Sequence, residues 1–167
     1  NLRLIMENRK LSCRLSLLGL STLMIILDQI SKFYVRGHLE LYQIKPFAPF
    51  WNWTLAYNEG AAFSFLANQG GWQKIMFGSI AGIVSLGIIY FILRKTYTTI
   101  SGFAFSLILS GALGNLIDRF SHGKVTDFID WYVGTHHWPA FNVADSCVTV
   151  GVTLLIIESI FFNKPKV

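Results

Sequence analysis

The chain has 167 residues, 53% of them hydrophobic and 14% charged, with a mean hydropathy of +0.49. Soluble domains usually carry about 25% charged residues, so this composition argues against a water-soluble globule and for a bilayer as the main solvent. The net charge of +5 does not read as a nucleic-acid face, because many of the Lys and Arg residues sit just outside apolar runs; no nucleic-acid partner is expected.

In chain order, Asn1 in place of Met is expected of a trimmed terminus, and Arg9, Lys10 and Arg14 precede the apolar run Leu15–Leu27. That pairing has the look of a signal peptide, but no small-residue cleavage site follows, and the run continues into Asp28-Gln29-Ile30-Ser31-Lys32. It is expected to be kept as a first span over about Leu15–Val35. The second span is Ile75–Leu93 and the third Thr96–Ile117, both without a charged residue. The fourth, about Ala140–Phe162, contains Asp145 and Glu158. The expected fold is a membrane all-α bundle of four transmembrane helices with a small β-sheet on the membrane surface, one integral domain over residues 1–167. Cys13 and Cys147 fall near opposite ends of the bundle and are expected to be unpaired, buried thiols.

Basic residues cluster before span 1, at Arg94-Lys95 between spans 2 and 3, and at Lys164 and Lys166. The positive-inside rule puts these on the cytoplasmic side, with both termini, and leaves 36–74 and 118–139 outside. Within the first outside segment, Leu39–Ile44 and Trp51–Tyr57 are rich in aromatic and branched residues, separated by Lys45-Pro46-Phe47-Ala48-Pro49. They read as short strands around a Pro-rich turn, with Trp51, Trp53, Tyr57 and Trp72 suited to the headgroup level. Gly78 and Gly82 form a small-xxx-small pair and Gly111 and Gly114 thin span 3, which predicts close helix packing.

Depth organises the polar residues. Counted from the cytoplasmic ends at 1.5 Å per residue, Asp28 lies roughly 20 Å up, Asn115 roughly 29 Å and Asp145 roughly 26 Å. In a hydrocarbon core about 30 Å thick these reach its outer part, and the outside segment that carries Asp127 joins the same level. Asp28 and Lys32 are spaced i, i+4; Asn115, Asp118 and Arg119 share a helix face; Asn142 and Asp145 are spaced i, i+3. Carboxylates at such depth mark functional sites by default. Against that, Asp28–Lys32 reads equally as a structural ion pair, Asp118–Arg119 as the end of span 3, Asp130 as a solvated loop residue and Glu158 as a snorkelling side chain. Asp145, with no basic residue nearby in sequence, is the hardest to explain structurally.

His38, His122, His136 and His137 lack zinc-ligand spacing, and no H-E-x-x-H, G-x-S-x-G or Walker A pattern occurs. Paired carboxylates remain. Two close aspartates share one proton, so one can activate water while the other polarises an amide carbonyl, a design that needs no cofactor. Spacing alone leaves Asp118, Asp127 and Asp130 open as the partner of Asp145.

Five blocks then carry a resemblance: Asp28-Gln29-Ile30-Ser31-Lys32; Tyr57-Asn58-Glu59-Gly60-Ala61-Ala62-Phe63; Gly111-Ala112-Leu113-Gly114-Asn115-Leu116-Ile117-Asp118-Arg119; Gly123-Lys124-Val125-Thr126-Asp127-Phe128-Ile129-Asp130; and Phe141-Asn142-Val143-Ala144-Asp145-Ser146. In this order, on a four-span profile, the chain resembles the lipoprotein signal peptidases (signal peptidase II) of bacteria. The resemblance implies an intramembrane aspartyl protease of the bacterial cytoplasmic membrane that removes signal peptides from diacylglyceryl-modified prolipoproteins, cutting on the amino side of the lipidated cysteine. It implies a catalytic dyad of Asp127 and Asp145, with Asp28, Lys32, Asn58, Gly60, Asn115, Arg119, Asn142 and Ala144 supporting it or lining the substrate groove. It further implies membrane lipid around the spans and inhibition by globomycin-type cyclic peptides. The rival from the residues alone is a small proton-coupled transporter, which also places carboxylates in spans; a membrane scaffold without activity would leave Asp145 without a purpose.

Overall fold

The computed structural model describes residues 2–60 and 72–162. Ala61–Phe63 and the basic tail at Lys164 and Lys166 lie outside the described residues, as do the side chains of Arg3, Arg9, Trp72 and Lys74. Element order is α1 (Leu2–His38), β1 (Ile44–Ala48), β2 (Trp51–Asn58), α2 (Trp72–Arg94), α3 (Thr99–His122), β3 (Val125–Val133), β4 (His136–His137) and α4 (Val143–Phe161). Among the described residues, four helices are long and apolar enough to cross a membrane, and lipid-facing side chains such as Leu23, Phe33, Ile83, Phe103 and Ile160 are exposed on the bare protein. Helix α3 packs against each of the other three helices and has the most buried span.

Small residues let α3 and α4 approach closely. A Cβ on Gly151 would fall 2.8 Å from the Ala104 carbonyl oxygen, and one on Gly114 would fall 2.7 Å from Asp28 Oδ2 and 3.2 Å from Ala144 Cβ. The expected tight packing at Gly78 and Gly82 does not occur: a Cβ at 78 would make only ordinary contact with Leu116, at 3.7 Å, and Gly82 has nothing within 4 Å. Cys13 and Cys147 are unpaired; Cys147 is buried as expected, but Cys13 is exposed.

The strands form one antiparallel sheet in the order β1-β2-β3-β4. The segment expected as a turn, Lys45-Pro46-Phe47-Ala48, is instead strand β1, and the chain reverses at Pro49-Phe50, with Phe50 at a φ of 68°. Pro46 is tolerated because β1 is the sheet edge, where a missing N–H leaves no ladder partner unpaired. The sheet packs on the top of α1 through Val35, Leu55 and Phe128, with Trp53 stacked on Phe128 at 5.6 Å.

Helix ends differ from the hydropathy reading: α1 begins at Leu2 rather than Leu15, α2 at Trp72 rather than Ile75 and α3 at Thr99 rather than Thr96, and two ends bear on the site. Helix α3 runs on through Asp118 and Arg119 to His122 and stops where Gly123 takes a left-handed φ of 78°, its N–H bonded to the Arg119 carbonyl. Helix α4 starts at Val143, because Asn142 caps it and Phe141 instead bridges to Ile129 of β3. Apolar runs measure what lipid can solvate; caps measure where backbone N–H groups find partners.

Candidate active site

On α1, the i, i+4 spacing brings Lys32 Nζ to 2.8 Å from Asp28 Oδ2, with both side chains no more than 1% exposed. The same ammonium lies 3.3 Å from Asp118 Oδ2 and donates to Asn115 Oδ1 at 3.0 Å, both on α3. One turn further along α1, Arg36 donates to Thr126 Oγ1 at 2.9 Å and lies 3.7 Å from Asp118 Oδ1. Asp118, fully buried, also accepts the Thr126 backbone N–H at 2.9 Å. Charges this far from water persist only when paired and hydrogen-bonded, and this set is both.

The start of α4 is fastened from two sides. Asn142 Oδ1 accepts the Asp145 N–H at 2.8 Å and Asp145 Oδ2 accepts the Asn142 N–H at 3.2 Å, a reciprocal capping box. The Ala144 N–H, another free donor of the first turn, goes to Asp28 Oδ1 at 2.9 Å. Asp28 thus joins the Lys32 ion pair to the helix that carries Asp145. Ala144 is 1% exposed and lies against Gly114, which limits the size of the side chain at that position.

Two amides join the carboxylates. Asn142 Nδ2 donates to Asp127 Oδ1 at 2.8 Å, and its backbone N–H serves Asp145. Asn115 Nδ2 donates to Asp145 Oδ1 at 2.7 Å, while its oxygen accepts from Lys32. Asn58 on β2 adds a side-chain hydrogen bond to Asp127 and fixes its own amide by accepting the Gly60 N–H at 2.9 Å. Burial pushes the Asp127 carboxyl up to about 7, the nearby Asp145 pushes the same way, and the hydrogen bonds from Asn58 and Asn142 and the charge of Lys32 only partly oppose them. Arg119 lies within electrostatic reach of Asp145, Asp127 and Asp118.

All ten residues singled out from the sequence fall in or beside this one network, Gly60 through its bond to Asn58. Three readings of acidic residues need correction. Asp118 does not merely end a span but is the buried counter-ion of Lys32 and Arg36. Asp130 is not a solvated loop residue: it is 6% exposed on β3, accepts from Asn52 Nδ2 at 2.8 Å and pairs with His137 Nδ1 at 2.8 Å. Glu158 does not snorkel but turns inward, accepting hydroxyl hydrogen bonds from Thr98 and Ser101 at the start of α3. Sequence reasoning also passed over Arg36, Thr126 and Gln29, whose Nε2 donates to Asp28 Oδ2 at 3.1 Å and to the Gly114 carbonyl at 3.0 Å. Arg36 continues the Asp28, Lys32 helix face and Gln29 is a polar residue inside an apolar run, so both left a signal; Thr126 left none. Among the described residues no group of three or more His, Cys, Asp or Glu side chains is placed to hold a metal ion.

Known proteins share this arrangement of sequence. The family model for signal peptidase (SPase) II matches residues 20–161. The lipoprotein signal peptidase of Acinetobacter baumannii is 49% identical over 150 residues, 89% of this chain and 85% of that protein. That of Francisella tularensis subsp. novicida is 46% identical over 147 residues, 87% and 91% of the two chains. A bacterial membrane enzyme solved by the in meso method at 1.9 Å resolution superposes with a TM-score of 0.78 at 33% identity, covering 88% of this chain and 94% of that one. A second, at 2.3 Å resolution, gives 0.76 at 31% identity, covering 91% and 94%. With the family model covering most of its length, and relatives near half identical along nearly all of it, this four-span chain belongs to the signal peptidase II family of membrane peptidases.

Proposed function

We propose that the protein is an aspartyl endopeptidase that removes the signal peptide from diacylglyceryl-modified prolipoproteins, cutting on the amino side of the lipidated cysteine, with Asp127 and Asp145 as its catalytic pair. The observation that carries this reading is the Asn142 bridge, in which one residue donates to both carboxylates at 2.8 and 3.2 Å. Charge supports it as well. In the surrounding network Lys32, Arg36 and Arg119 face the fixed carboxylates Asp28 and Asp118. The positive charge left over is neutralised when one of the two catalytic aspartates is ionised and the other protonated.

Asp127, pushed up to about 7, then holds the proton and polarises the scissile carbonyl, while Asp145 takes a proton from the attacking water. When the tetrahedral intermediate collapses, the proton gained by Asp145 is delivered to the leaving amine. Asn115 and Asn142 keep the carboxylates from turning away, and Asn58 with Gly60 lines the approach of the extended substrate backbone. Asp28 and Lys32 hold α1 to the start of α4, and Arg119 tempers the negative charge. Ala144 leaves room for close packing of α3 on α4.

The signal helix lies among the spans with its acyl chains in lipid, and the scissile bond meets water at the sheet side. By the distribution of Lys and Arg, that side faces away from the cytoplasm and both termini lie inside a bacterial cytoplasmic membrane. Globomycin-type peptides would occupy the same pair. Membership of a peptidase family displaces the proton-coupled transporter reading.

The test is cleavage of a diacylated prolipoprotein by purified wild type, Asp127→Asn and Asp145→Asn in lipid. Both variants are expected to fold, to bind substrate and to cut at a vanishing rate. Near-wild-type cleavage by either one removes the dyad.

A further inference from the structure

Helix α2 gives no residue to the network described so far, yet Phe77 brings it to the site. A Cβ on residue 60 would fall 2.7 and 2.9 Å from Phe77 Cε2 and Cδ2, so the Asn58–Gly60 turn lies directly on the ring. Gly60 also has a φ of 95°, so the turn needs glycine on two grounds. The same ring sits 5.6 Å from the Arg119 guanidinium, a cation–π contact. The two groups it touches flank the catalytic pair. Asn58 hydrogen-bonds Asp127, and Arg119 is within electrostatic reach of Asp127 and Asp145.

We propose that Phe77 is a positioning residue, a ring wedged between the Gly60 turn and Arg119 that fixes the Asn58 amide and the Arg119 charge on either side of the carboxylate pair. The proposal rests on the dyad reading above. Its physical content is that one rigid side chain sets the distance between a hydrogen-bond donor and a cation that would otherwise hang on a turn and on a long, flexible stem. Both groups favour ionised carboxylate, so loosening them retains the shared proton to higher pH. The other charged or amide groups facing the pair are Asp28 and Lys32 on α1, Asn115 and Asp118 on α3 and Asn142 on α4, with Lys124 nearby over the Tyr57 ring at 3.6 Å. Neither Phe77→Leu nor Phe77→Tyr alters any of these side chains.

The experiment is the pH dependence of kcat/KM for prolipoprotein cleavage by wild type, Phe77→Leu and Phe77→Tyr in lipid, with Asp127→Asn as control. Leu keeps apolar bulk under Gly60 but offers Arg119 no ring face. It is expected to lower kcat/KM roughly tenfold and to move the basic limb up by about half a pH unit, while Tyr restores both. A residue that only fills space would lower the amount of folded protein and leave the limb in place. Unshifted limbs in folded Phe77→Leu overturn the proposal. Should Phe77→Leu not fold, the same limb is read in Phe77→Met, which also fills the space under Gly60 without a ring face; a shifted limb supports the proposal and an unshifted one overturns it. Cleavage by Asp127→Asn at the wild-type rate fails the dyad reading and this one with it, whereas an inactive Asp127→Asn beside unshifted Phe77 variants fails the positioning role alone.

Discussion

The bundle buries polar groups at both of its ends, and the two ends are built differently. Away from the sheet, Ser21 and Ser106 share a hydrogen bond of 3.0 Å, Ser106 donates to the Leu17 carbonyl at 2.7 Å, and Glu158 takes the hydroxyls of Thr98 and Ser101. Each of these contacts ties one helix to another through neutral hydroxyls, carbonyls and a single carboxylate. On the sheet side the partners are charges. Asp28 and Asp118 are spent on Lys32 and Arg36, but Asp127 and Asp145 receive amide donors and, among the described residues, no direct ion pair. Polar burial in a span is therefore not itself a mark of chemistry. The sheet end differs in holding two acids through a shared amide while Lys32 and Arg36 are engaged with Asp28 and Asp118.

From that contrast, the largest expected effect comes from the pair itself. Asp145→Asn should lower the cleavage rate by roughly 10²–10⁴-fold or more, with thermal stability in lipid little changed; a loss under tenfold would break the distinction between the two ends. Next is Lys32→Met, which leaves Asp28 and Asp118 buried without their shared cation. Breaking such a pair costs about 3–5 kcal/mol, so chemical unfolding in detergent should show a large drop in stability as well as lost activity. A variant as stable as wild type would mean the network is far wetter than its burial implies.

A smaller effect concerns pH. Burial first, and Asp145 second, raise Asp127 from 3.8 to about 7. The folded protein thus binds a proton that the unfolded chain has released between these values. This group's contribution to stability is full below about pH 4 and is lost as pH rises through about 7, by at most roughly 4 kcal/mol. Cleavage should fall over the same upper range as the shared proton leaves. Asp127→Asn should flatten the stability profile, and an unchanged slope would place the titration elsewhere. Smallest is Ser106→Ala at the opposite end, expected to cost about 0.6 kcal/mol and to leave cleavage within twofold. A tenfold loss there would mean that this end also serves the reaction.

Several parts of the site were legible because they are local. The Asp28–Lys32 pair and the shared face of Asn142 and Asp145 follow from helical spacing, though not the cap that Asn142 forms, and the β2 strand follows from its run of aromatic and branched residues. Strand β1 was hidden because Pro46 reads as a turn, and only its place at the sheet edge makes it a strand. Asp118 and Asp130 were misjudged because their partners, Lys32, Arg36, Asn52 and His137, come from other elements. The use of the Ala144 backbone N–H by Asp28, 116 residues away, has no trace in composition or period.

By itself, then, the sequence determined the four spans, since hydropathy is a property of each segment in its solvent, and the height at which the polar groups gather, since rise per residue is fixed. It also determined the family, through five ordered blocks. The spacing of residues left the partner of Asp145 open and the resemblance implied Asp127; only the tertiary structure decided which carboxylate shares Asn142 with it. Asp127 and Asp130 are three apart on one strand and so point to opposite faces, and Asp118 is taken by cations from α1. That choice depends on packing between elements distant in sequence, where a carboxylate's role is set by which donors and charges reach it.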